Sequence, residues 1–232
     1  MPLLDFGPLL AGPYRDWLIA GLRLSLLLTA VCLLLALPLA SLVALARLSP
    51  LRGLRALAWA YVEGMRSVPL LVHLLFWYFA APELLPDAPK TWLYAGQIET
   101  ASAIAALTLY TAAYMAEDMR SGLNAVPRTQ FEAARALGFT FLATMRLVIL
   151  PQALRITVPP LISQTLNLWK NTSIATVIGT AELMYQAQRV ETASFRGFET
   201  FALATAVYLG LSLAISLAGW AFQRRYPTRP AA

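Results

Sequence analysis

Two stretches of the chain, 24–46 and 200–223, contain no charged residue at all. Each covers the roughly 20 residues needed to cross a hydrocarbon core of about 30 Å. Three further segments, near 57–80, 98–119 and 158–181, are comparably apolar but each contains ionisable residues. The pattern predicts an all-α membrane protein, a single transmembrane domain over 1–232 with spans at about 18–46, 57–80, 98–119, 158–181 and 199–223. A soluble helical bundle is disfavoured, because buried helices in soluble folds rarely run so far without a polar face. The N-terminus lacks the basic region of a secretory signal, and the first span is too long for the apolar core of one.

The third and fourth spans are joined by a long cationic stretch, about 120–157, where a simple connection needs only a few residues. It is organised as a helix. Val126-Pro127 restricts the chain just ahead of it, and proline is tolerated in a first turn whose N–H groups have no partner anyway. Glu132 stands one turn after Arg128 and three residues before Arg135, so charged partners can meet on one face. Ala133, Ala134, Ala136 and Leu137 offer a small, smooth surface, and Gly138 supplies a stop. Residues 139–150 read as a second amphipathic stretch closed by Leu150-Pro151. The pattern alone fits either a docking element or a solvated helix lying on the membrane surface.

Composition agrees with the membrane class. The chain is 59% hydrophobic and 13% charged, against about a quarter charged in soluble domains. Arginines cluster between the first and second spans (Arg47, Arg52, Arg55), between the third and fourth (Arg120, Arg128, Arg135, Arg146, Arg155), and after the fifth (Arg224, Arg225, Arg229). Acids favour the opposite loops: Asp5, Asp16, Glu83, Asp87, Glu99, Glu182, Glu191 and Glu199. Positive residues mark cytoplasmic loops, so the N-terminus is expected outside and the C-terminus inside. The net charge of +6 then reports topology and contact with anionic membrane lipids rather than nucleic-acid binding.

Several chemistries are missing. One cysteine, Cys32, and one histidine, His73, cannot build a zinc or iron–sulfur site. The lysines, Lys90 after Pro89 and Lys170 after Trp169, lack the glycine-rich context of a phosphate-binding loop. No nucleophile, base and orienter set is visible. Energy-consuming work would need a partner.

Ionisable groups at membrane depth are costly and usually pair or line a pathway. Lys170 falls within the fourth span, flanked by Asn167, Asn171, Thr172 and Ser173. These groups could hold a zwitterion, or Lys170 could pair with Glu117 or another acid or serve an interface between subunits. Glu117 and Asp118 sit beside Arg120, and Glu63 lies three residues before Arg66; local ion pairs explain both sets. Pro69 should kink the second span. Tyr110, Tyr114 and Trp169 either line the same cavity or pack.

Glu132-Ala133-Ala134 with Gly138 and the later Leu150-Pro151-Gln152 resembles the cytoplasmic "EAA" loop of permease subunits in binding-protein-dependent ABC importers. Arg66-Ser67-Val68-Pro69-Leu70-Leu71, Ala113-Tyr114-Met115-Ala116-Glu117 with Arg120 and Gly122, Lys170-Asn171-Thr172-Ser173, Glu182-Leu183 and Ala206-Val207-Tyr208-Leu209 resemble the polar amino acid branch, most like its glutamate/aspartate members. Thr129-Gln130 stands where the family usually carries Gly-Gln, and His73 where many members carry Gln. The resemblance implies a transport subunit without cofactor of its own. ATP and Mg would be bound by two ATPase subunits docked at Glu132, Ala133, Ala134 and Gly138. It further implies a second permease subunit, identical or paralogous, and a periplasmic solute-binding protein, in a bacterial inner membrane. The solute pathway would draw on Arg66, Pro69, Tyr114, Glu117, Asn167, Lys170, Asn171, Thr172 and Ser173. A secondary transporter would also want charges at membrane depth but would not need the EAA helix; a membrane enzyme lacks a visible catalytic set.

Overall fold

The structure, a computed structural model, describes residues 5–96 and 98–226; Arg229 of the last arginine cluster lies outside the described residues. A short turn, Gly7–Leu10, leads into α1, Gly12–Arg47. Then come α2, Arg52–Ser67, and α3, Leu70–Leu75, which runs on through 76–84 in wider and tighter turns. An outer helix α4, Asp87–Ala95, precedes α5, Ile98–Asn124. The short α6, Arg128–Ala136, is followed by α7, Phe141–Thr144, and α8, Leu150–Asn171. The chain ends with α9, Leu183–Ser194, and α10, Gly197–Arg225.

α1 buries one narrow stripe, Leu18, Gly21, Ser25, Leu28, Cys32, Ala36, Ala40 and Ala44, at steps of three and four residues. Leu26, Leu27, Leu34, Leu35, Leu42 and Leu45 point outward. Small residues on the inward stripe let backbones approach, which is how helices associate where the surrounding solvent is itself apolar. Gly21 and Ser25 meet the start of α9, whereas from Leu28 onward the partner is α5, whose Ala103, Ala106, Ala112, Ala113 and Ala116 are buried in turn. Cys32 packs fully buried against it, its thiol 3.8 Å from the Ile104 carbonyl.

Among the described residues three helices are long and apolar enough to cross a membrane, Gly12–Arg47, Phe141–Ile178 and Gly197–Arg225, or four if the bent pair Arg52–Ser67 and Leu70–Leu84 forms one span. α5 does not qualify on apolarity. It is the central helix, packed against α1, α2, α3 and α8, so its Ser, Thr and Tyr side chains face protein rather than lipid.

Two proline expectations need correction. Pro69 does more than kink the second span: the chain turns by 106° between α2 and α3, with Val68 extended and Pro69 heading α3. A residue before proline is pushed out of the helical region, so the break falls there. His73 spans it, its Nε2 donating to the Met65 carbonyl at 3.1 Å. Leu150-Pro151 does not close the second amphipathic stretch. Helix runs unbroken over Phe141–Ile178 because a π turn at Met145–Ile149 directs the Leu150 N–H to the Met145 carbonyl. The widened turn accommodates the residue that has no N–H to give.

Candidate functional site

Tyr110, Thr111 and Tyr114 of α5 face Gln164, Asn167, Leu168 and Asn171 of α8 across a cleft of about 340 Å³. Tyr110 and Tyr114 are four residues apart, and Gln164, Asn167 and Asn171 step by three and four, so each helix presents one polar face. The volume lies at the small end of ligand pockets, about 300–1,000 Å³. The Tyr110 hydroxyl donates to that of Tyr114 at 3.2 Å, and the His73 ring packs edge-on against Tyr110. The Arg66 guanidinium sits 5.3 Å from the centre of the Tyr114 ring. Gln164 Nε2 donates to Asp118 at 2.9 Å, which fixes the inner corner of the cleft. Phenol, hydroxyl and amide groups lining the cleft, with a guanidinium at its edge, suit a small solute carrying both carboxylate and ammonium.

Of the sequence-predicted pathway residues, Tyr114, Asn167 and Asn171 meet in the cleft, with Arg66 at its edge. Lys170 does not line it; its side chain is exposed and pairs neither with Glu117 nor with any other described acid. One helical position separates it from Asn171, a rotation of about 100°. Thr172 is buried and donates to the Trp169 carbonyl at 2.8 Å, while Ser173 donates to that of Lys170 at 2.7 Å. Both hydroxyls therefore serve the tightening of α8 into the 3-10 turn Thr172–Ile178. Trp169 is a packing residue, fully buried against Tyr208.

Glu117 is paired locally as expected with Arg120, at 2.5 Å, and also with Arg47 at 3.6 Å. No ion pair joins Glu63 and Arg66; Arg66 turns to Tyr114 instead. Glu132 pairs with neither arginine on its helix, since Arg135 donates to the Phe139 carbonyl at 2.7 Å.

The other candidate surface is α6. Glu132 and Ala133 are exposed, whereas Ala134 is buried and faces inward, a correction to its expected place on an outward surface. Phe131 meets Phe141 edge-on, and Val126, Ile149 and Ala153 form a small core beneath. Gly138 has φ +84°; its N–H bonds the Arg135 carbonyl at 3.0 Å, and the Phe139 N–H bonds that of Ala134 at 3.1 Å. This paired closure needs a left-handed residue, which glycine adopts without a Cβ clash.

Sequence reasoning missed Glu182, placed among loop acids. It is wholly buried and caps α9, accepting from the Met184 and Tyr185 N–H groups at 2.9 Å each. The Tyr208 hydroxyl donates to it at 3.0 Å and that of Ser25 at 3.2 Å, while Ser25 accepts the Leu183 N–H at 3.1 Å. A lone acid ahead of a helix was the available signal, but glutamate is not among the common capping residues.

Comparison with known proteins adds the following. Residues 36–226 match the family described as binding-protein-dependent transport system inner membrane component. The glutamate/aspartate import permease protein GltJ of Escherichia coli K12 is 34% identical over 208 residues, 88% of this chain and 85% of that protein. The probable glutamine ABC transporter permease protein GlnM of Bacillus subtilis 168 is 38% identical over 175 residues, 75% of this chain and 77% of its own length. The crystal structure of an amino acid ABC transporter with histidines superposes with a TM-score of 0.84 at 31% identity, covering 96% of this chain and 99% of that one.

Proposed function

The chain belongs to the inner membrane components of bacterial binding-protein-dependent transport systems, and on that premise we propose that it is the permease subunit of an ABC importer for a polar amino acid, with glutamate or aspartate as first choice. The observation that carries the reading is the pairing of a polar cleft between α5 and α8 with an exposed helix, α6, seated on the same helical run that forms one wall of that cleft.

In this reading α5 is the third of the five spans, shielded by its neighbours, and the arginine-rich turns face the cytoplasm. Of the two ATPase subunits, one docks on α6 of each permease subunit, here through Glu132, Ala133 and the turn at Gly138, with Ala134 holding the helix to the arm beneath. ATP and Mg stay with those subunits. A second permease copy or paralogue completes the pathway, and a periplasmic binding protein delivers the solute. Tyr114, Asn167 and Asn171 contact it; amide and phenol groups can serve the carboxylate and ammonium shared by all amino acids, and Arg66 favours an acidic side chain. Lys170, exposed on the isolated chain, is assigned to the interface with the second permease subunit.

The test is co-purification of the chain with its neighbouring gene products, followed by ATPase assays in lipid nanodiscs with the binding protein and one amino acid at a time. Stimulation by glutamate or aspartate is the expected result. Stimulation by another amino acid would move the substrate assignment. A complex that retains no ATPase subunit would favour a secondary transporter.

A further inference from the structure

A second cleft, of about 550 Å³, lies at the α1–α2 turn and is lined by Arg47, Arg52, Arg55, Ala56, Trp59 and Arg120. Four guanidinium groups surround it, and the one carboxylate among them, Glu117, is already shared by Arg47 and Arg120. Arg52 and Arg55 are exposed and form no ion pair. Arg47 Nη1 is buried without a hydrogen-bond partner. Buried donors are nearly always satisfied, so an orphaned one beside an open, positively charged space points to an absent acceptor. Asp118 does not supply it, being turned to Gln164.

The arginine cleft and the polar site have no lining residue in common, but α5 contributes to both. On α2, Arg52, Arg55, Trp59, Glu63 and Arg66 recur at helical spacing, so one stripe runs from the arginine cleft to the residue that stacks on Tyr114. On α5, Tyr114 and Arg120 are six residues apart, about 9 Å of rise. An anion leaving the tyrosine and asparagine groups would thus have Arg66 and then the four arginines along one side of α2, with Trp59 and the single acid Glu63 between them.

We propose that this arginine cleft is a second anion site, which takes the side-chain carboxylate of an acidic amino acid on its way to the cytoplasm. The assignment rests on the importer reading and on the cytoplasmic position of the α1–α2 turn. Planar guanidinium forks match a carboxylate in two-point contact, and four positive groups in a recess concentrate anions near it. A phosphate headgroup would satisfy the same chemistry, so the test must separate the two.

Trp59 lines the cleft and is a built-in reporter. The assembled transporter in neutral phosphatidylcholine nanodiscs would be titrated with iodide at constant ionic strength, with the Trp59→Phe complex subtracted to isolate its emission. Iodide should quench Trp59 several-fold more steeply than neutral acrylamide. L-glutamate should relieve the quenching and L-glutamine should not. Arg52→Gln with Arg55→Gln should bring the iodide slope down to that of acrylamide, and the double lysine variant should recover most of it. Equal quenching by iodide and acrylamide in the unmodified complex would overturn the proposal. So would relief by inorganic phosphate or added phosphatidylglycerol but not by L-glutamate, which would identify a headgroup site. ATPase activity is read on the same samples. Solute-stimulated hydrolysis without glutamate-sensitive quenching removes this inference and leaves the importer reading standing, whereas loss of the ATPase subunits removes both.

Discussion

Glu182 joins three helices through one side chain: it caps α9, accepts from Ser25 of α1 and accepts from Tyr208 of α10. Removing it strands buried donors, each costing about 1–3 kcal/mol. Glu182→Ala should therefore lower stability by about 3 kcal/mol or more, seen as a depressed thermal midpoint of the purified complex followed by tryptophan emission; an unchanged midpoint would show that the cap is dispensable. Gly21 belongs to the same joint. A Cβ there would lie 2.9 Å from both the Glu182 carbonyl and the Leu183 Cα, backbone atoms that cannot swing aside. Gly21→Ala should cost about 1–3 kcal/mol on the same assay, and full stability would mean that α1 and α9 can separate freely. The contrast between Asn171 and Lys170 shows what single residues reveal in advance. The spacing of Asn167 and Asn171 was enough to put both on one face. Lys170 attracted attention by its charge, yet the rotation of α8 about its axis, set by the burial of Leu168 and Trp169, turns it away from the cleft.

Among the elements, α6 was the most legible, because proline restricts its beginning at Pro127 and glycine is free to take the left-handed conformation that ends it at Gly138. Gly138→Ala forces a Cβ into the left-handed region at about 1–2 kcal/mol. It should fray the turn, so that trypsin cuts after Arg135 several-fold faster than in the parent; Gly138→Asn should be milder, and equal cleavage of all three would show that the turn is held from elsewhere. Glu132→Lys reverses the charge of an exposed side chain that supports nothing inside the chain. The protein should insert and fold normally while ATP hydrolysis loses its dependence on solute, and transport at the parental rate would remove Glu132 from the docking surface. The longer elements were read less well. Charge-free runs disclosed α1 and α10, but periodicity gives no sign that Val68-Pro69 breaks a span by 106° while Leu150-Pro151 is absorbed by a π turn. The difference lies in whether the preceding turn can widen, and that depends on packing around Ile149 and Ala153.

At the scale of the whole molecule, α5 is enclosed by the other helices and carries its polar groups inward, while the exposed faces of α1 and α10 are rich in leucine. The span expected at 98–119 falls on α5, which is less apolar than the other long helices because its polar side chains are covered by its neighbours. Asn171→Leu should preserve assembly and basal ATP hydrolysis yet reduce solute-stimulated hydrolysis about tenfold, the loss of roughly one hydrogen bond; undiminished stimulation would move the solute elsewhere. The continuous helix over Phe141–Ile178 has a mechanical consequence. It packs tightly on α5 at Thr157, whose hydroxyl would lie 1.9 Å from any Cβ added to Gly122. With 1.5 Å of rise per residue, that crossing stands about 18 Å from Met145, beside α6, and about 21 Å from Asn171 in the cleft. If α8 moves as a rigid beam about that crossing, the two arms are nearly equal, so a push of a few ångströms at the α6 end would reappear in the cleft at similar size and in the opposite direction, whereas bending at Pro159 and Pro160 would absorb part of it.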